Sequence, residues 1–288
     1  MVERDRPFTV YMVGGSGCGK TSYMGAMFHK FGNGPGFNGF SISMEDTNAK
    51  NALLELGRNV VAGIYPPGDS VRNEYSFLLR FKGQDYVRFN WHDYRGGVLS
   101  SGLDQDQAEK YDLLDEFKSA DALIVFFDAT EMLKGDNRQY EKYIGLIGRT
   151  LNRLVATTDD GVATPVSLVF TKIDQAGSFE VLRQRSLYRK FCGEVLDVVR
   201  NNERLQTLLV STEIGVKRFF FFRSTRNVEY PFLHSLVHII KKRQSEFRLN
   251  QKSYTQRAEL FEPSILNSIK CIFTEEESER EKRKKGER

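Results

Sequence analysis

Cysteine is scarce in this chain, and long apolar runs are missing. The three cysteines among 288 residues, Cys18, Cys192 and Cys271, stand far apart and are odd in number. No C-x-x-C pair accompanies them, so nothing suggests a disulfide framework. The longest apolar runs, Ala122–Phe127 and Phe219–Phe222, are far too short to cross a bilayer. With no secretory stretch in view, the expected compartment is the reducing cytosol, and the expected protein is cytoplasmic with no transmembrane segment. Charge of one sign is also modest: the net charge is +4, with 28% of residues charged. That excess is too small to imply nucleic acid. Much of it sits in the run Arg280, Lys282, Arg283, Lys284, Lys285, which reads as a solvated end. No internal repeat is visible.

What is present is material for a core, since 40% of residues are apolar and 12% aromatic. Phe8–Val13 reads as a short buried strand running into a glycine-rich turn. A helix over Thr21–Phe31 follows, with Met24, Met27, Phe28 and Phe31 on one face. A second helix starts near the cap candidates Asp46 and Thr47. It carries Leu53, Leu56, Val60 and Ile64 at helical spacing and ends at Pro66-Pro67-Gly68. Glu74–Phe81 and Asp85–Trp91 predict a hairpin turned at Lys82-Gly83-Gln84. Beyond it, strands at Ala122–Asp128, Val166–Thr171 and Arg218–Arg223 alternate with helices at about 105–118, 137–156, 178–200 and 231–247. Alternation with fully apolar strands predicts an α/β fold: a six-stranded, mostly parallel sheet with helices on both faces. The main domain is expected over 1–248, with a helical insertion at about 33–68. A helical extension at 249–274 and a charged, disordered tail at 275–288 follow it.

The chemistry starts at Gly14-Gly15-Ser16-Gly17-Cys18-Gly19-Lys20-Thr21, a full G-x-x-x-x-G-K-S/T match between a strand and a helix. Glycines let the backbone wrap a phosphate so that several N–H groups converge on it. The helix N-terminus, at Thr21 and Ser22, adds partial positive charge, and Lys20 reaches the β and γ phosphates. Thr21 offers a hydroxyl to Mg²⁺. Asp93-Tyr94-Arg95-Gly96 ends the second hairpin strand as a D-x-x-G element. Its carboxylate is placed to hold Mg²⁺ through water, and the Gly96 N–H to meet the γ-phosphate. Thr171-Lys172-Ile173-Asp174 matches the N/T-K-x-D base-reading element. A carboxylate there accepts both the ring N–H and the amino group of guanine. Adenine lacks that ring N–H, so the acceptor is left short of a donor, and the expected nucleotide is GTP or GDP. Ser224-Thr225-Arg226 is a candidate loop against the guanine carbonyl, with arginine where such loops carry lysine.

In this order, and with "ADALIVFFDAT" before the long helix, the motifs resemble the TRAFAC class of Ras/Arf-like small GTPases over roughly residues 7–247. The segment ending "AGIYPPGDS" is similar to the bacterial double-GTPase branch, where a helical insertion ends in a proline-rich switch. The resemblance implies a P-loop G domain and a switch read by a protein partner, a second GTPase or an activating subunit. It also implies a place in multi-gene conflict or defence systems.

Two positions depart from the pattern. After Pro67-Gly68 the chain offers Asp69 and Ser70 but no threonine, so Ser70 is the candidate third oxygen for Mg²⁺. Gly97 stands where Ras-like enzymes carry the glutamine that orients water, so intrinsic hydrolysis is expected to be slow, with Lys20, Asp93 and Gly96 as its machinery. Two alternatives stay open: a protein that holds GTP or GDP without turning it over, and a P-loop ATPase using Asp128 at the end of Leu123–Phe127. Cys18 needs only its backbone N–H in the loop, and His92 beside Asp93 reads as structural.

Overall fold

The computed structural model describes residues 6–32, 36–67, 73–93, 115, 117–134, 137–157, 164–177, 179–202, 205–211, 213–216, 223–250 and 263–273. Strand β1 (Phe8–Gly14) lies inside the sheet, paired in parallel with β4 (Gln84–Asp93) on one side and β5 (Ala122–Asp128) on the other. Beyond β5 come β6 (Thr164–Thr171) and β7 (Leu205–Ser211), also parallel. Beyond β4 come β3 (Asn73–Phe81) and β2 (Phe40–Ser43), both antiparallel to their neighbours. The order is β2-β3-β4-β1-β5-β6-β7.

The two-residue period of the strands divides the core. Val10, Met12, Ile124 and Phe126 face one apolar layer, and Tyr11, Val13, Val125 and Phe127 face the other. Every residue of β5 is buried, as a central parallel strand covered on both sides requires. Helix α1 (Lys20–Gly32) closes the first layer with Met24, Met27, Phe28 and Phe31, all at 0% exposure. Burying each is worth about 1.5–3 kcal/mol. Helix α2 (Thr47–Val61) lies on α1, capped by Asp46, whose carboxylate accepts from the Asn48 and Ala49 N–H groups. At their crossing no side chain intervenes: a Cβ on Gly57 would stand 2.5 Å from the Gly25 carbonyl oxygen. On the opposite face α3 (Ala129–Leu133) follows β5, and α4 (Arg138–Thr157) buries Tyr140, Ile144, Ile147, Leu151 and Leu154.

The expected strand count is corrected from six to seven, and one strand is moved. β2 is an added strand inside the segment read as purely helical, and the hairpin pairs its β3 in register with it. The last parallel strand is Leu205–Ser211, not Arg218–Arg223. Residues 217–222, including the phenylalanine run, lie outside the described residues. Strands β8 (Glu213–Val216) and β9 (Arg223–Arg226) form a separate antiparallel ribbon packed against α2 and α1. After a short α5 (Ile173–Ala176), the helix expected at about 178–200 is broken into α6 (Phe179–Arg183), α7 (Ser186–Phe191), a π-turn at Cys192–Leu196, and α8 (Asp197–Arg200). Gly148 of α4 makes room for that π-turn, since a Cβ there would meet the Glu194 carbonyl at 2.2 Å. Helix α2 ends earlier than its apolar spacing suggests, so Ile64 is 62% exposed and not on the buried face.

Helix α9 (Glu229–Asn250) returns along the first layer with Phe232, Leu233, Leu236 and Ile240 buried. A last helix, α10 (263–273), inserts Ile265, Ile269 and Ile272 into the same layer, and its Phe273 ring lies 5.0 Å from Tyr230 of α9.

Candidate functional site

The parallel register brings the carboxyl ends of four strands to one edge. Met12 pairs with Asp93, Gly14 with Phe126, and Asp128 with Thr171. The chain leaves β1 at Gly14 and turns through Gly17 and Gly19, whose φ angles of 71° and 93° are open to glycine at no steric cost. Gly14 is needed for another reason: a Cβ there would stand 2.5 Å from the Cys18 sulfur, which fills the space beneath the loop. Burial pushes the Cys18 thiol above its usual range, with Lys20 opposing, so it is a packing group and not a reactive thiolate.

Lys20 opens α1 and is 8% exposed. Its ammonium donates to the carbonyls of Gly14 at 3.0 Å and Gly15 at 3.2 Å, and lies 4.0 Å from Asp93 Oδ1. The Thr21 hydroxyl donates to Asp93 Oδ2 at 3.4 Å. Two hard oxygen donors, a hydroxyl and a buried carboxylate, therefore stand side by side at a helix N-terminus. That set fits Mg²⁺, which takes one or two protein oxygens and completes its shell with phosphate and water. The other D-x-x-G residue, Gly96, lies outside the described residues, as do Ser70, Gly97 and the segment 94–114.

The Thr171-Lys172-Ile173-Asp174 element is fastened to the glycine-rich loop. The Thr171 hydroxyl, buried at the end of β6, donates to the Cys18 carbonyl at 2.6 Å. Lys172 follows in the left-handed region (φ 55°, ψ 28°), which turns the chain into α5 and leaves Asp174 exposed in its first turn. Tyr65, 46% exposed just past α2, lies close enough that the Asp174 charge, after burial, raises its phenol. The Lys172 ammonium is 2.5 Å from Asp128 Oδ2.

Asp128 is accordingly not where the ATPase alternative needs it. Its other oxygen accepts from Thr130 N–H at 2.8 Å and Thr130 Oγ1 at 2.6 Å, capping α3, and the Thr21 hydroxyl turns to Asp93 instead. Nor are Ser224, Thr225 and Arg226 a loop following a strand of the main sheet: they form β9 of the ribbon against α2 and α1. His92 stacks on Tyr11 (4.9 Å, 18°) and approaches Glu74 at 3.8 Å, on the face of β4 turned from Asp93. Two neighbours of the site escaped sequence reading. Asp128 as the partner of Lys172 needed the β5–β6 register; its cap role was visible in Asp128-x-Thr130. Tyr65 beside Asp174 needed the path of α2.

A family model described as Double-GTPase 2 matches residues 9–229. Among solved structures, the chain is similar to the Arl6 BBS3 small GTPase of Trypanosoma brucei with a bound nucleotide analogue (12% identity, 82% of this chain and 99% of that one, TM-score 0.43). It is also similar to the signal recognition particle receptor SRb-GTP/SRX complex of Chaetomium thermophilum (13%, 72% and 90%, TM-score 0.39). A third likeness is to a small COPII coat GTPase, SAR1, of Encephalitozoon cuniculi in complex with GDP (10%, 84% and 83%, TM-score 0.38). No curated protein matches the chain.

Proposed function

The chain belongs to the Double-GTPase 2 family, and from that premise we propose that it is a GTP-dependent switch with slow intrinsic hydrolysis that a protein partner reads. One observation carries the reading: the 2.6 Å hydrogen bond from Thr171 to the Cys18 carbonyl, which fixes the base-reading loop onto the phosphate loop. A single ligand held by both would carry a phosphate chain and a base a fixed distance apart.

In this reading the N–H groups of Gly15–Thr21 and the Lys20 ammonium hold the β and γ phosphates. Thr21 and Asp93 hold Mg²⁺, Asp93 through water, and Ser70 is the candidate third oxygen. Held there, the ion would supply charge neutralisation on the phosphates. Asp174 accepts from guanine, and Lys172 lies along the base. Gly96 meets the γ-phosphate, so that segments 64–74 and 93–104 differ between GTP and GDP states and present that difference to a partner. A second GTPase or an activating subunit is the kind of partner that fits, within a multi-protein, conflict-type system. Gly97 supplies no water-orienting side chain, so turnover without a partner is expected near the roughly 10⁻³ per second of an unassisted small G protein. Single-turnover phosphate release measures it: turnover near 10 per second would overturn slow hydrolysis, and none at all would favour a protein that holds GTP as a fixed element.

Base identity is tested by Asp174→Asn, which should weaken GTP and admit xanthosine triphosphate, whose carbonyl accepts where guanine's amino group donates. Full GTP preference with no gain for xanthosine triphosphate would place base recognition elsewhere.

A further inference from the structure

The reading above leaves one buried charge at the site without a task. Asp128 ends β5 with its side chain 5% exposed, and it is fixed at three points. Its N–H donates to the Tyr140 hydroxyl at 2.7 Å. One carboxylate oxygen takes the Thr130 N–H and hydroxyl. The other takes the Lys172 ammonium.

Lys172 is held at both ends as a result. Its backbone sits in the left-handed region, which a non-glycine residue keeps only where the surroundings hold it. The buried hydroxyl of Thr171 anchors it on one side and buried Ile173 on the other. Its ammonium is anchored 2.5 Å from a carboxylate that belongs to a rigid central strand. Between the anchors runs a four-carbon stem with few rotamers left. A free lysine stem gives up rotamer freedom when it is fixed. Here that cost is met in folding, before a ligand arrives.

Resting on the guanine-nucleotide reading, we propose that Asp128 is a positioning residue for base recognition: it holds the Lys172 stem in the line along which the purine lies. It touches neither phosphate nor metal. Its contribution is the preorganisation of another side chain, reached across the sheet through the Asp128–Thr171 register.

Asp128→Asn separates the two jobs of this residue. Asparagine caps a helix as well as aspartate does, so the bonds from Thr130 persist while the charge facing Lys172 is lost. In the full chain, affinity for GTP and for GDP should fall alike, by about tenfold, the range for one charge-assisted hydrogen bond. The loss should appear as faster nucleotide dissociation, at an unchanged Mg²⁺ requirement. Lys172→Met keeps the stem and removes the ammonium, so the double variant should bind no more weakly than Lys172→Met alone. Thr130→Ala should lower the melting temperature and leave both dissociation rates in place. Additive losses in the double variant, or a raised Mg²⁺ requirement in Asp128→Asn, would overturn the proposal. Unchanged GTP binding in both Lys172→Met and Asp174→Asn is a different result: it would remove the base-reading assignment itself, and this inference with it.

Discussion

Lys20 shows at the scale of one residue how a buried cation is held by its own loop. At 8% exposure its ammonium is held by two carbonyls of its own loop and by Asp93 at 4.0 Å, not by the hydrophobic core. Lys20→Ala should therefore cost about a hundredfold in GTP affinity, the range for hydrogen bonds to a charged group, while the melting temperature moves little. Equilibrium titration and calorimetry on the same variant check both halves. Two histidines behave in the opposite sense. His234 on α9 meets the Ser167 hydroxyl of β6 at 3.2 Å and stacks edge-on against His238 at 4.7 Å. Burial, then His238 and Lys241, lowers the His234 pKa from 6.5 to about 3, and burial and Lys241 lower His238 to about 4. Both stay neutral in the fold while the unfolded chain takes up their protons. Stability is thus complete above about pH 6.5 and falls as pH drops from there toward 4 and 3. His234 alone should cost about 2 kcal/mol at pH 5; His238 should cost less, because solvent screens its open side. Urea unfolding at pH 7 and pH 5 should show the loss in the wild-type chain and a reduced loss in His234→Gln.

At the scale of elements, what could be read depended on whether the signal was local. The phosphate loop, the α1 face and the Lys82-Gly83 turn, with φ angles of 50° and 78°, lie within a few residues of sequence and were legible. Asp93 and Thr171 could be placed from sequence because each ends an apolar strand. β2 was not: Phe40-Ser-Ile-Ser43 shows only two apolar residues in alternation, and its strand character comes from pairing with Phe81–Leu78. β7 was hidden for a related reason. As an edge strand it leaves Thr207, Leu208 and Leu209 half-buried, and the stronger apolar run of 219–222 drew the assignment past it. The Lys172–Asp128 pair joins residues 44 apart and required the register. The α1–α2 crossing is another element-scale fact, and it can be broken. Gly57→Ala would push a methyl to 2.5 Å from the Gly25 carbonyl and 2.7 Å from His29 Cβ, forcing the helices apart. The strain, about 1–3 kcal/mol, exceeds the roughly 1 kcal/mol that alanine gains in a helix. A thermal scan should show a melting temperature lower by several degrees, and an unchanged one would mean that the two helices do not cross in contact at Gly57.

Over the whole molecule, α10 shares in the main core and is not an appendage to it. Ile265, Ile269 and Ile272 are each at most 6% exposed. At about 1.5–3 kcal/mol apiece, their burial compares with the 5–15 kcal/mol that holds a typical domain together. A chain ended at residue 262 should therefore melt more than about 10 °C lower. Added GTP should still raise that melting point, since the α10 contacts described above lie along α9 and the first apolar layer and not at the phosphate loop. Equal melting of the two chains would show that α10 does not dock in solution. A last consequence follows from β2. Sheets are often extended by a visiting strand that zips onto an open edge, and the nine residues of β3 would make a long landing strip for one. β2 covers the Leu78–Phe81 end of that strip with a strand of four residues, about two of which turn their N–H and C=O groups outward. A visitor gains few hydrogen bonds at that end, and any longer ladder would have to form on Asn73–Phe77, the part of β3 that β2 leaves unpaired.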